Sequence, residues 1–425
     1  MTMGCAKNSV DSEVLAGRLR AAGHILVDDV REAQVGIVNT CGFIQEAVEE
    51  NIDVILDLER LKEEGELKKI AVVGCLVNRY EAELREALPS VDLFAHAESW
   101  DEVTSFLSPD SKPSFTAGRA PLPETTPWSR YLKVGEGCDT FCSYCAIPII
   151  RGRLRSAPIE LLVEEALKLC DEGARELCLV GQDLTAYGRD LYGEPATWRL
   201  LEELDRALPN GVWLRLLYLH PDRMTSDFVE FLLESAHILP YLDIPIQHVD
   251  DSILARMNRA PAGGHIRALF RRIRELDPLF AIRTTIMTGF PGETEEQFQK
   301  VLDFLDEARI DRVGSFVYSP EEGTPAASFP ERVPEETAHE RRARLMELQE
   351  GISLERNGLF VGRELDVLVE EVELDQLLGR SYRDAPEVDG VVTLPRPGGM
   401  DFEPGCIVRA RITDCDEHDL QGVLL

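Results

Sequence analysis

Three cysteines fall in one short stretch, Gly137-Cys138-Asp139-Thr140-Phe141-Cys142-Ser143-Tyr144-Cys145. The spacing is C-x3-C-x2-C, with an aromatic residue just before the last thiol. Three thiolates on one loop hold three irons of a cubane [4Fe–4S] cluster and leave the fourth iron open to a substrate or cofactor. A zinc site wants four ligands. No further Cys or His follows until Cys170, in a segment that reads as a helix. Zinc and buried free thiols are the competing readings of the loop.

The surroundings of the loop read as regular βα alternation. Candidate strands are Tyr131–Gly135, Glu176–Val180, Trp213–Leu219, Tyr241–Ile246, Ala281–Thr288 and Arg312–Tyr318. Helical patterns such as Pro158 to Glu172 and Thr294 to Ala308 separate them. Six such units predict a partial (β/α)6 barrel. Polar and Gly-rich motifs follow the strands: the cysteine loop, Gly181-Gln182-Asp183, His220-Pro221, Gln247-His248 and Gly289-Phe290-Pro291-Gly292-Glu293. Chemistry at the carboxyl ends of barrel strands is what this architecture predicts.

Upstream, Val35–Asn39 and Ile70–Gly74 read as buried parallel strands, with helices over Ser12 to Ala22, Ile44 to Glu64 and Glu81 to Leu88. This predicts a small parallel α/β domain. Each strand runs into a cysteine, Cys41 and Cys75, and Cys5 takes the same place if Met1 to Met3 are the stub of a first strand. Ligands bind such sheets at the carboxyl edge. The three thiols would therefore converge there, as a second three-ligand cluster or as three buried cysteines.

Residues 108–127 are rich in Pro, Ser and Thr and read as a linker. Pro334 to Asn357 reads as a long charged connector helix. Beyond it, strands at Glu364 to Glu371, Gly390 to Leu394, Cys406 to Asp414 and Gln421 to Leu425 predict a small β-barrel. The fold class is α/β throughout, with a terminal barrel. The expected divisions are 1–107, the linker 108–127, 128–357 and 358–425.

Charge bears on the partner. The 425 residues hold 45 Lys+Arg against 77 Asp+Glu, a net charge of −32. Such a surface repels polyphosphate at long range and suits a basic partner. No apolar run approaches the roughly 18–20 residues of a membrane span, and no signal peptide precedes Gly4. A cytoplasmic protein with reduced thiols is the expectation.

The cysteine loop resembles the signature of the radical S-adenosylmethionine (SAM) enzymes. The three parts in this order resemble the methylthiotransferase family, which joins an N-terminal cluster domain, a radical SAM barrel and an OB-like TRAM barrel. Gly4-Cys5-Ala6-Lys7-Asn8-Ser9-Val10-Asp11-Ser12-Glu13, Asn39-Thr40-Cys41 and Gly74-Cys75 carry that resemblance. It implies two [4Fe–4S] clusters, an auxiliary one on Cys5, Cys41 and Cys75 and a SAM-binding one on Cys138, Cys142 and Cys145. Cys170, Cys178, Cys406 and Cys415 match no motif and read as structural. The family usually has more residues ahead of its Gly-Cys motif; three stand there here.

Two branches of the family differ in substrate. One modifies an adenosine of tRNA; the other methylthiolates the β-carbon of an aspartate in ribosomal protein S12. Glu136-Gly137-Cys138 stands where tRNA enzymes carry Arg-Gly-Cys. Gln247-His248 stands where they carry Gln-Ser-Gly. Gly379 to Gly390 also looks like the ribosomal branch. From Gly358 on, 15 acidic residues face 6 Arg and no Lys, whereas an RNA-gripping barrel is basic. The acidic barrel, including Ala385 to Gly390, is expected to meet a basic ribosomal protein, free or on an assembling particle.

The resemblance implies SAM as cofactor and an external electron donor such as flavodoxin or ferredoxin. It implies a methyl from one SAM, and a hydrogen abstraction driven by cleavage of a second. No catalytic residue beyond the cluster ligands is expected. Tyr144, Gln182, Arg283 and Gly289 are the candidate SAM contacts. The rival readings are a tRNA adenosine methylthiotransferase and a non-catalytic iron–sulfur or zinc protein that binds nucleic acid.

Overall fold

In the computed structural model, residues 1–109, 118–259 and 263–425 are described. The first unit is a parallel sheet of β1 (Val35–Thr40), β2 (Lys69–Gly74) and β3 (Leu93–Ala95), in that order. Val38, Ile70 and Val72 are fully buried, as expected of strands covered on both faces. Thr2 adds an isolated parallel bridge to Asn39, so Met1 to Met3 form the stub of a fourth strand.

Helices α1 (Ala6–Ala21), α2 (Gln45–Glu63), α3 (Cys75–Ala87) and α4 (Trp100–Leu107) pack around this sheet. Two begin earlier than their apolar periodicity predicts. The first turns of α1 bury Lys7, Asn8, Asp11, Ser12 and Glu13, so polar contacts with the barrel replace an apolar stripe. The start of α3, Cys75-Leu76-Val77, is buried in succession and reads as a continuation of β2. The consequence is chemical, because Cys5 caps α1 and Cys75 opens α3. Both cysteines come to line the cavity between this unit and the barrel.

The second unit is an open six-stranded parallel sheet in sequence order. Its strands are β4 (Ser129–Lys133), β5 (Glu176–Val180), β6 (Trp213–Leu216), β7 (Ile238–Asp243), β8 (Ala281–Thr288) and β9 (Arg312–Val317). Helices such as Ile159–Asp171 and Glu295–Ala308 cover the outside. Thr294 and Gln297 form a reciprocal capping box on the latter, which satisfies two backbone donors. Of the expected linker, residues 110–117 lie outside the described residues. Arg119 binds both Glu13 of α1 and Glu165, each at 2.7 Å.

The helix Glu335–Gly358 leads to a closed barrel of β10 (Glu364–Val372), β11 (Gln376–Arg380), β12 (Val392–Pro395), β13 (Ile407–Cys415) and β14 (Leu420–Leu424). Its segment 381–390 corrects one expectation. Instead of facing a partner, much of it turns inward against the larger barrel. Ala385 packs with Cys178, Leu217, Tyr241 and Ala281. Asp384 binds Arg312 at 2.8 Å, and Asp389 accepts from Tyr241 at 2.7 Å and lies 3.3 Å from Arg283 Nε. Charges paired this way are compatible with burial. Glu387 and Val388 alone of this run are exposed. Two arginines and two aspartates are buried together here (Arg380, Arg383, Asp384, Asp389), so the outward acidic surplus of the domain is unchanged.

Candidate active site

Thr40 of β1 and Gly74 of β2 are paired in register, so Cys41 and Cys75 leave the sheet side by side. Gly4 brings Cys5 to the same edge. Its φ is +94°, and a Cβ there would lie 2.6 Å from Cys41 Cβ, so only glycine fits. Asn8 Nδ2 ties the loop down, donating to Met3 O at 2.7 Å and Thr40 O at 3.1 Å.

The second triad follows β4. Cys138 N donates to Gly152 O at 3.1 Å, and Ser143 N to Met257 O at 2.9 Å. Asn258 Nδ2 caps Phe141 O at 2.9 Å. These bonds fix the loop across the mouth of the barrel.

All six sulfurs line one cavity of about 380 Å³. The sheet edge of the first unit and the carboxyl ends of the barrel strands therefore face each other across one space. Neither triad is spaced for zinc. Zinc with thiolates at 2.3 Å sets sulfurs roughly 3.8 Å apart. Among the described residues the only group of three or more that brings its ligand atoms within 4.8 Å of one another is Asp11, Glu98 and Glu136. Those carboxylates are already engaged by Lys133 and Arg151. A cubane spreads its ligands more widely, and three thiolates on each side suit it.

Positive groups attend the sulfurs. Arg151 Nε donates to Cys75 Sγ at 2.9 Å, and Arg259 Nη1 to Cys142 Sγ at 3.5 Å. Burial pushes the Cys75 thiol up to about 11 and the Cys145 thiol up to about 12. Thiols so placed ionise when a metal displaces the proton. Cys142 goes the other way: burial works to raise it, but His220 and the Arg259 guanidinium outweigh that and lower it.

Of the candidate SAM contacts, Tyr144 and Gln182 line the cavity. Tyr144 OH lies 3.4 Å from Arg259 Nη1, and Gln182 Nε2 donates to Glu136 Oε1 at 2.8 Å. Gln182 Oε1 is buried without a partner. Arg283 and Gly289 are not lining residues. Arg283 lies between Asp243 at 3.4 Å and Asp389 at 3.3 Å, which hold it at the amino end of the barrel. Gly289 has φ +78°, and a Cβ there would lie 2.4 Å from Ala338 Cβ. It lets the turn after β8 close on the long helix.

Sequence reasoning missed the polar seam behind the thiols. Arg151 donates to Asp11 Oδ2 and Glu136 Oε2, both at 2.8 Å, and to Asn8 Oδ1 at 2.5 Å. Lys7, in the first turn of α1, lines the cavity itself. The motif around Cys5 contained Lys7, Asn8 and Asp11, but their roles appear only once the barrel is docked.

The fold and the loop define a radical SAM enzyme. Residues 132–305 match the radical SAM superfamily, residues 1–96 the family described as uncharacterized protein family UPF0004, and residues 361–425 the TRAM domain. The chain is 42% identical over 441 residues to the ribosomal protein uS12 methylthiotransferase RimO of Geobacter sulfurreducens, covering 100% of this chain and 98% of that protein. It is 42% identical to the Aquifex aeolicus protein of the same name, covering 99% and 96%. The chain belongs to this family of RimO-type methylthiotransferases. Among solved structures, the radical SAM methyltransferase TsrM from Kitasatospora setae aligns with TM-score 0.57 at 16% identity, over 76% of this chain and 74% of that one. The cobalamin-dependent enzyme OxsB aligns with TM-score 0.52 at 12% identity, over 76% and 53%. Both likenesses concern the fold. No described helix is long and apolar enough to cross a membrane.

Proposed function

We propose that this chain transfers a methylthio group to the β-carbon of an aspartate in ribosomal protein uS12. The observation that carries the reading is the shared cavity: two thiol triads from separate domains line one space. Cys138, Cys142 and Cys145 would hold the SAM-binding cluster, and Cys5, Cys41 and Cys75 the auxiliary one. When bound, the clusters and SAM supply the electron, the hydrogen-abstracting radical and the methylthio group.

The chain's own residues hold and orient. Arg151 and Arg259 donate to sulfurs of opposite triads and so balance negative charge on both sides. Phe43, Ile147, Ile150 and Phe316 give the cavity apolar walls, which keep water from reactive species. Tyr144 and Gln182 remain the proposed SAM contacts, with the orphaned Gln182 Oε1 as an acceptor for a ligand N–H or O–H. The electron enters from an external flavodoxin- or ferredoxin-like donor. The acidic terminal barrel favours a basic ribosomal protein over tRNA.

The test is mass spectrometry of uS12 from cells with and without this gene. The reading expects one methylthio group in place of one hydrogen on an aspartate, present only with the gene. A methylthio-adenosine in tRNA, with uS12 unmodified, would transfer the chain to the tRNA branch.

A further inference from the structure

The cavity contains an ammonium that no described carboxylate pairs at close range. Lys7 is 8% exposed and its side chain lines the cavity. Its Nζ lies 3.9 Å from the centre of the Tyr218 ring and 3.5 Å from Gly181 O, the outer limit of a hydrogen bond. Cation–π attraction of this kind offsets part of the desolvation of an ammonium, but an ammonium has three donors to satisfy. The neighbouring carboxylates do not supply them. Asp11 and Glu136 are shared between Lys133 and Arg151, and no described carboxylate reaches Nζ within ion-pair distance. A buried charge without a partner is costly. The Cys5 sulfur and Glu136 act on it from nearby without bonding to it, and its remaining donors face a cavity that can admit an anion with a ligand.

We infer that Lys7 receives the side-chain carboxylate of the target aspartate and so selects aspartate over asparagine. This rests on the function proposed above. Lys7 lines the same cavity as Cys5, Cys41 and Cys75, so a carboxylate held there presents its β-carbon to the space that triad faces. The Tyr218 face and the Gly181 carbonyl fix the ammonium from behind. An amide in place of the carboxylate brings an N–H donor toward the ammonium and forfeits the charge pairing, the kind of mismatch that gives strong discrimination. SAM's own carboxylate is the other anion in this space, and the test separates the two.

The experiment uses reconstituted holoenzyme with purified uS12 carrying either the native aspartate or asparagine at the modified position. Equilibrium binding of each protein, binding of SAM and iron content are measured for the wild type, Lys7→Gln and Lys7→Arg. The inference expects the wild type to prefer the aspartate protein by about a hundredfold. Lys7→Gln should bind both proteins alike with iron and SAM affinity retained, and Lys7→Arg should recover part of the preference. A Lys7→Gln enzyme that keeps the wild-type preference overturns the inference, as does a loss confined to SAM affinity. If Lys7→Gln fails to load iron, a wild type without preference between the two proteins overturns it equally. A wild type that prefers and modifies aspartate, beside a Lys7→Gln enzyme that prefers it too, leaves the proposed function standing alone. A wild type that modifies neither protein removes both.

Discussion

Glu176 in the radical SAM barrel and Arg380 in the terminal barrel form an ion pair at 2.6 Å, with side chains 0% and 2% exposed. Arg215 binds the same carboxylate at 2.7 Å and is itself fully buried. The two units, 204 residues apart at this contact, are therefore joined through a buried carboxylate between two guanidiniums. Removing one partner of such a group leaves uncompensated buried charge and costs about 3–5 kcal/mol. Glu176→Gln should lower the unfolding free energy by that order, and with it the midpoint of chemical unfolding. A midpoint unchanged within error would mean the contact is incidental.

The same carboxylate sets an acid limit. Burial acts to raise its pKa, but Arg215 and Arg380 outweigh it and bring it to about 2. An unfolded glutamate titrates near about 4.3. The folded pKa is the lower one, so the contribution is complete above about 4.3 and declines as pH falls from there toward about 2. Unfolding free energy measured across that range should fall more steeply with acid in the wild type than in Glu176→Gln. Equal slopes would count against the assignment.

Iron content tests the two-cluster reading. Two cubanes require about eight irons per chain. Alanine at Cys138, Cys142 and Cys145 together, or at Cys5, Cys41 and Cys75 together, should each leave about half. Wild-type iron near about four per chain would remove one cluster from the account.

The terminal barrel should choose protein over RNA. Its acidic surplus remains outward after the buried pairs are set aside, and exposed charges are screened over about 8 Å at physiological ionic strength. Binding to purified uS12 should weaken as salt rises, chiefly through slower association, with little binding to bulk tRNA. Tight, salt-sensitive tRNA binding with none to uS12 would reverse the preference.

The parts that could be read from the sequence share a physical reason. Parallel strands buried on both faces are continuous apolar runs, so β2 and β5 stand out, and a strand end followed by cysteine marks Cys41 and Cys75. The three-residue β3 carries too little pattern to register. β11, Gln376–Arg380, is short and opens on a polar residue, and it escaped for the same reason. The inward turn of Ser381 to Gly390 was hidden for a different reason. Asp384 and Asp389 look like solvated charges until Arg312, Tyr241 and Arg283 arrive from distant strands. Arg151 and Lys7 belong to the same class. Their partners come from other domains, and one-dimensional spacing carries no trace of them. Arg283 reads in sequence as a SAM contact, and it lies between two aspartates.

The central claim is that two thiol triads serve one cavity with separate tasks. The measurement is a single reaction with uS12, SAM, sulfide and reductant, in which 5′-deoxyadenosine and methylthio-aspartate are quantified together. With Cys5, Cys41 and Cys75 changed to alanine, the account predicts 5′-deoxyadenosine without methylthio-aspartate. With Cys138, Cys142 and Cys145 changed, it predicts neither. Methylthio-aspartate from the Cys5, Cys41 and Cys75 variant would contradict it.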